Sequence, residues 1–264
     1  MGNRTQYFNC GSRSDPWDYI LDNPPTKINK HTKVYDIDLF DSSTQLINNL
    51  HSQSKVVICY FSAGTYEDWR PDAANFSQAD LGNNLHDWKG ERWINITSPR
   101  VLEIMKSRIS LANSKGCDAV DPDNIDAYDN KSGLNLTQSD SIAYIKKLSD
   151  IAKKYDLAIG LKNGGGIVEA VLPYVDFAVQ EQCGQYKECK KYQPFIHAKK
   201  LVFHVEYPPK VKSKLKTRFE SKRSKFHWPS KTYKKYCSFK NTKGFSSILK
   251  SLNLNEWVYQ CPNK

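Results

Sequence analysis

The chain has 264 residues, with 39 Lys or Arg against 28 Asp or Glu and a formal net charge of +11. That length can bury a full core, as one α/β barrel or two small domains, and an aromatic content of 12% excludes a disordered chain. No apolar run approaches the ~20 residues that a membrane-spanning helix needs, so a soluble globular protein without a membrane partner is expected.

The opening residues Met1 to Gln6 carry no apolar signal segment, and Gln6 stands where a myristoylation motif requires Ser or Thr. Strand-like and helix-like runs then alternate. The pattern predicts eight short strands: Asp18 to Leu21, Val34 to Phe40, Val56 to Ser62, Arg92 to Ile96, Asp118 to Asp123, Ala158 to Asn163, Asp176 to Gln182 and Leu201 to Tyr207. Amphipathic helices are expected over Ser43 to His51, Pro99 to Ser114 and Ser139 to Tyr155, with capping residues before the first two and Pro99 suited to a first helical position. Strands with helical crossovers predict an α/β fold, a single (β/α)8 TIM barrel. The alternative is an open doubly wound sheet, but the only Gly-rich loop, Lys162 to Gly166, lacks the dinucleotide pattern.

Charge is distributed unevenly. Pro208 to Lys240 holds 12 basic residues and one Glu, which accounts for the entire net charge and leaves the rest of the chain balanced at 27 of each sign. This stretch reads as a basic insertion in the one domain. Its Lys and Arg are interleaved with Phe219, Phe226, Trp228, Tyr233 and Tyr236, a mixture suited to polyanion contact as well as to a solvated loop.

The seven cysteines point to an oxidising compartment. Cys59 and Cys117 fall in or beside strand-like runs and read as buried thiols, Cys183 and Cys189 are spaced to close a small loop, and Cys10 with Cys261 is spaced to tie the termini. Cys237 is then left over. No CxxC or HxxxH spacing supports a zinc site, so neither metal nor cofactor is expected. Five Asn-X-Ser/Thr sequons, at Asn3, Asn75, Asn95, Asn130 and Asn135, are compatible with a secreted glycoprotein.

The segment Gly116 to Tyr128 carries the strongest chemical signal. It places Asp118, Asp121, Asp123 and Asp126 in and just past one strand, and period-two alternation puts Asp121 and Asp123 on the same face. Carboxyls that close resist joint ionisation, so one can stay protonated and serve as an acid. An Asp-Pro turn is the structural reading of the same residues. Tyr60, Lys162, Glu181, Glu206 and Tyr207 also fall at or near C-terminal strand ends, where barrel enzymes place function. Lys162 reads equally well as a structural ion-pair cation. Two carboxyls facing one cavity are what glycosidic cleavage requires.

These runs resemble a known family. Cys59 to Asp72 (CYFSAGTYEDWRPD), Gly116 to Asp126 (GCDAVDPDNID), Gly160 to Asn163, Gln180 to Cys183 and Val205 to Tyr207 are similar, in matching order, to glycoside hydrolase family 114, TIM barrels that include endo-α-1,4-polygalactosaminidases. The resemblance implies catalytic carboxylates at Asp123 and Glu181. It also implies a sugar cleft lined by Asp121, Asn124, Lys162, Asn163, Glu206 and Tyr207, with Trp17, Tyr60 and Trp69 as stacking surfaces. Asp121 stands where the family more often has Glu. The expected function is extracellular endo-hydrolysis of a galactosamine-containing polysaccharide by a monomer, the alternative being a non-catalytic carbohydrate-binding barrel. Such a polymer is cationic when its amines are free, and Cys117 to Asp140, with six Asp and one Lys, offers it a locally acidic rim.

Overall fold

The computed structural model describes residues 7–8, 15–208 and 230–262. Eight parallel strands follow one another around a nearly closed barrel: β1 (Trp17–Ile20), β2 (Val34–Asp38), β3 (Val56–Ser62), β7 (Ala119–Asp123), β8 (Ala158–Lys162), β9 (Phe177–Glu181), β10 (Leu201–Glu206) and β11 (Ser246–Lys250). A short antiparallel strand, β12 (Val258–Gln260), continues the sheet past β11. At the seam back to β1 the Trp17 indole donates to Ser246 O at 2.8 Å, Gln260 Nε2 donates to Trp17 O at 2.7 Å and Leu21 N donates to Leu254 O at 3.0 Å.

The expected TIM barrel is therefore present, with one strand misplaced. The run Arg92 to Ile96 does not enter the barrel. Its residues fall largely in β6 (Glu91–Ile94), the central strand of an antiparallel sheet with β4 (Thr65–Glu67) and β5 (Leu81–Asn84), inserted between β3 and the next helix. The eighth barrel strand is β11, in parallel register with β10 from Phe203 opposite Ser246. β11 is a five-residue strand bracketed by polar residues, which is why its apolar signal is weak.

Helices α1 (Thr44–Ser52), α2 (Pro99–Lys115) and α3 (Gln138–Lys154) lie within a residue or two of their expected bounds. Ser43 caps α1 by accepting from Leu46 N, Pro99 opens α2, and α3 starts on a Thr137/Asp140 capping box. Their apolar faces, including Ile47, Leu50, Ile104, Met105, Ile145 and Leu148, pack with outward strand residues such as Val57, Cys59 and Val120 in one core.

The barrel interior follows period-two alternation. Trp17, Val34, Ile58, Ala119, Phe177, Phe203 and Ile248 form a second buried cluster. Gly160 makes room for Phe177: a Cβ there would come within 2.5 Å of the ring. Two residues further along their strands the same inward positions become ionisable, with Asp121 after Ala119 and Lys162 after Gly160. Apolar packing thus fills the N-terminal end of the barrel and delivers charge to the other end.

Three disulfides are formed among the described residues. Cys183–Cys189 is the small loop that the spacing predicts. Cys59 and Cys117 are bonded rather than free thiols, because β3 and the start of β7 are adjacent in the sheet. Cys261 pairs with Cys237, not with Cys10, because the segment before Cys237 packs on β12, Tyr233 stacking on Tyr259 at 3.9 Å; Cys10 lies outside the described residues. Most of the basic segment, 209–229, also lies outside them, and with it the expected polyanion contact. Among the described residues no helix is long and apolar enough to cross a membrane.

The Cys59–Cys117 bond closes a separation of 58 residues. Replacing both with Ala is expected to cost about 2–4 kcal/mol, read as a lower urea midpoint; an unchanged midpoint would show that the barrel does not depend on the bond.

Candidate active site

Lys162, the last residue of β8, is fully buried with its ammonium at the centre of the C-terminal barrel mouth. Its Nζ lies 3.5 Å from Asp121 Oδ2, 3.5 Å from Asp123 Oδ2 and 3.6 Å from Glu181 Oε2, and it donates to the Tyr19 hydroxyl. The Tyr19 and Tyr60 rings flank it at 4.5 and 5.1 Å. Burial alone would push a lysine pKa down, but here Asp123, Glu181 and Asp121 outweigh it and hold the amine well above its usual range. At an effective dielectric near 20, each such contact is worth roughly 4–5 kcal/mol. The contacts with Asp123 and Glu181 alone exceed a desolvation cost of several kcal/mol per ion, so Lys162 stays charged.

The two outer acids are tethered separately. Asp123 accepts from the Tyr60 hydroxyl at 3.0 Å and from Asn124 N at 2.6 Å. The turn Ser62 to Thr65 grips its backbone: Ala63 N and Gly64 N both donate to Asp123 O. Gly64 is required there, since a Cβ would fall 1.6 Å from Asn124 O. Glu181 accepts from the Tyr207 hydroxyl and, at 3.4 Å, from Asn163 Nδ2, while Asn163 Oδ1 accepts from Glu181 N at 3.0 Å. Asn124 and Asn163 both have left-handed backbones, φ 63° and 50°, which asparagine tolerates better than most residues.

Beneath them lies an inner carboxyl pair. Burial, opposed by Lys162 and reinforced by Asp123 and Glu181, pushes Asp121 up to about 7. Asp36 on β2 is also fully buried, and burial together with Asp121 pushes its carboxyl well above the usual range.

An open groove crosses this mouth. One lobe, of about 920 Å³, is lined by Tyr60, Trp69, Asp123, Asn124, Asn163 and Glu181, among others. A second lobe, of about 640 Å³, adds Tyr207, Tyr186 and the Gly164 to Gly166 loop. The lobes share Trp88, Asp126, Asn163 and Glu181.

Seven candidates from the sequence therefore line the groove: Tyr60, Trp69, Asp123, Asn124, Asn163, Glu181 and Tyr207. The other four do not. Asp121 and Lys162 are buried below the floor: Lys162 touches the outer acids, and Asp121 touches Lys162. Glu206 is fully buried, accepting from His204 Nε2 at 2.9 Å and Gly184 N at 2.7 Å, so it braces the β9 exit loop rather than meeting sugar. Trp17 is buried against Phe203 and Tyr19 at the far end of β1, which rules it out as a stacking platform. Sequence reasoning missed Tyr19, Asp36, Glu91, Trp88 and Tyr186. Tyr19 and Asp36 had a legible signal, since each is a polar residue two positions on from an inward apolar one. Cys183, Cys189 and His204 present ligand atoms within 4.8 Å of one another, but the two sulfurs are already bonded and leave one ligand.

The model of glycoside-hydrolase family GH114 matches residues 3–264. The chain belongs to that family and is a glycoside hydrolase. Its structure is similar to that of Aspergillus fumigatus Ega3 in complex with galactosamine, at 40% identity over 95% of this chain and 96% of that one, with a TM-score of 0.86. The glycoside hydrolase domain of PelA from Pseudomonas aeruginosa shares the fold at 9% identity and a TM-score of 0.66, covering 93% and 98% of the two chains. No curated protein sequence matches this chain.

Lys162→Met in this hydrolase is expected to lower kcat by at least about 100-fold, because Asp121, Asp123 and Glu181 lose their shared cation. A variant that folds as wild type and retains kcat would remove Lys162 from the catalytic electrostatics.

Proposed function

We propose that this GH114 hydrolase cleaves α-1,4-linked galactosamine polymer at internal bonds, outside the cell, with Asp123 and Glu181 as the two reacting carboxyls. The observation that carries the reading is their convergence on one buried ammonium at the floor of a groove that continues to both sides. One carboxyl protonates the leaving glycosidic oxygen while the other acts at the anomeric carbon. Both oxygens lie within 3.6 Å of the same nitrogen, so they are no more than about 7 Å apart. That excludes most of the ~6.5–9.5 Å range of inverting pairs and favours retention, with direct carboxylate attack and a glycosyl-enzyme.

Three features support the substrate and its mode of binding. Glu181 lines both open lobes of the groove, which gives a polymer room to extend past the cleaved bond as internal cleavage requires. Exposed Trp69 stands in one lobe, exposed Tyr186 in the other and exposed Trp88 lines both, offering flat apolar faces to sugar rings. Asp126, shared by both lobes, is half-buried and has no ion pair with a described residue, and burial pushes it up to about 6. A desolvated carboxylate without a cation suits the ammonium of a free galactosamine unit, and the related Ega3 is the one in complex with galactosamine. Three disulfides and exposed sequon residues Asn75, Asn130 and Asn135 fit a secreted glycoprotein.

The direct test is incubation of wild type, Asp123→Asn and Glu181→Gln with partly deacetylated α-1,4-galactosaminogalactan, with products read by mass spectrometry. Oligosaccharides from wild type, reduced at least about 1,000-fold in both variants, are expected. Binding by all three without any product would leave a lectin-like barrel instead.

Asp126 gives a second test, in which stability and activity change in opposite directions. Its pKa is raised by folding, so its stabilising contribution is complete below the ordinary value of 3.8 and is lost as pH rises through about 6. Asp126→Asn should therefore raise the urea midpoint at pH 8 but not at pH 3. It should also weaken cleavage of free-amine substrate more than of N-acetylated substrate. Equal loss on both would show that Asp126 does not recognise the amine.

A further inference from the structure

Glu91, the first residue of β6, is absent from the two-carboxyl reading of the site, yet it lines the groove while only 8% exposed. A continuous line of hydrogen bonds leads from it to the catalytic strand end. Thr65 Oγ1 donates to Glu91 Oε2 at 2.9 Å and contacts Ser62 Oγ. Ser62 Oγ accepts from Thr65 N at 3.1 Å and from Asn124 Nδ2 at 3.0 Å. Asn124 N in turn donates to Asp123 Oδ1.

The direction of the chain is determined by counting. A hydroxyl oxygen has two acceptor sites and one proton. Both acceptor sites of Ser62 are taken by N–H donors, so its proton goes to Thr65, whose own proton goes to Glu91. Every donor points one way, and the carboxylate is the terminus that makes this order favourable. With its amide nitrogen held in the chain, Asn124 keeps its amide oxygen as an acceptor, and Asn124 lines the groove beside Asp123. Thr65 and Ser62 are fully buried, which leaves no room for water to substitute for a missing link.

Building on the hydrolase reading, we propose that Glu91 is a positioning residue that acts through Thr65 and Ser62. In this role it fixes the Asn124 amide and the backbone at Asp123, so that turnover requires Glu91 in its ionised, accepting form. The charged groups facing it are Glu67 and Arg70, from β4 and the turn after it, and Asp123 from β7; β5 presents no titratable side chain. Burial, with Thr65 opposing it and Glu67 and Asp123 adding to it, pushes Glu91 up to about 7. A protonated Glu91 can donate to Thr65 as well as accept from it, so the one-way order is no longer enforced within the working pH range, and activity would fall as pH drops through that value.

The test compares kcat/KM from pH 5 to 9 for wild type, Glu91→Gln, Glu91→Leu and Thr65→Val, each first shown by circular dichroism and thermal melting to be folded. Glu91→Gln keeps an acceptor that does not titrate. Because its amide can also donate, as protonated Glu91 can, it is expected to stay near the low-pH activity of wild type at every pH and to lose the inflection near 7. Glu91→Leu and Thr65→Val break the chain and should lose about 10- to 100-fold at every pH. Asp121, which titrates in the same range, would leave the inflection in place in Glu91→Gln, and that result would overturn the proposal. So would full activity in Glu91→Leu. Galactosamine affinity of the same four proteins is measured by calorimetry over the same pH range. If wild type cleaves no glycan, the hydrolase reading of the substrate fails. The affinity profile then decides the relay by the same criteria: loss of the inflection in Glu91→Gln supports it, and an inflection that persists overturns it.

Discussion

The catalytic end of this barrel is organised around one buried ammonium. Asp121, Asp123 and Glu181 come from two strands, and Lys162 from the strand between them, so their carboxyls project into the same small volume. Without a cation there, mutual repulsion and loss of hydration would drive the carboxyls to take up protons or to move apart. Lys162 allows them to be held together, and Tyr19, Tyr60 and Tyr207 supply hydroxyl and ring contacts that take the place of water. The arrangement is costly to assemble, and removing Lys162 would leave the carboxyl charge uncompensated.

The remainder of the fold keeps that cluster rigid. Aromatic packing among Trp17, Phe177 and Phe203 fills the N-terminal half of the barrel and leaves no apolar space into which the charged layer can relax. The Ser62 to Thr65 turn clasps Asp123 by its backbone, and it is held in turn by Arg108, whose guanidinium donates to Ser62 O at 2.7 Å and to Asp72. The antiparallel sheet that follows contributes Glu91, and the loop before β6 contributes Trp88, to the groove. An insertion between two barrel strands thus supplies one wall of the groove, while the strand ends supply the clustered carboxyls.

Much of this was legible in the chain. Seven of the eight barrel strands were marked by short β-branched and aromatic runs, and the polar residue ending each inward alternation marked the catalytic rim. Asp123 and Glu181 stood out because a carboxylate at a strand end has no packing explanation. The exceptions have identifiable causes. Arg92 to Ile96 carries the same period-two signal as a barrel strand, and local pattern does not distinguish a strand of the main sheet from one in an added sheet. Trp17 and Glu206 were placed in the cleft by the family resemblance, but Trp17 lies at the start of β1, at the other end of the barrel, and Glu206 is buried on His204 and Gly184 N.

Taken by itself, the sequence determined the family, the barrel and the identity of the reacting carboxyl candidates, because each of these depends on local alternation and on motifs a few residues long. Tertiary structure decided what depends on distance between remote segments. It paired Cys59 with Cys117 and Cys237 with Cys261, brought Tyr19 and Asp36 under the site, and joined Glu91 to Asp123 through Thr65, Ser62 and Asn124. It also separated candidates of the same chemical type into those in the groove and those beneath it. That separation comes from strand register and barrel closure, which arise only when residues far apart in sequence are packed against one another.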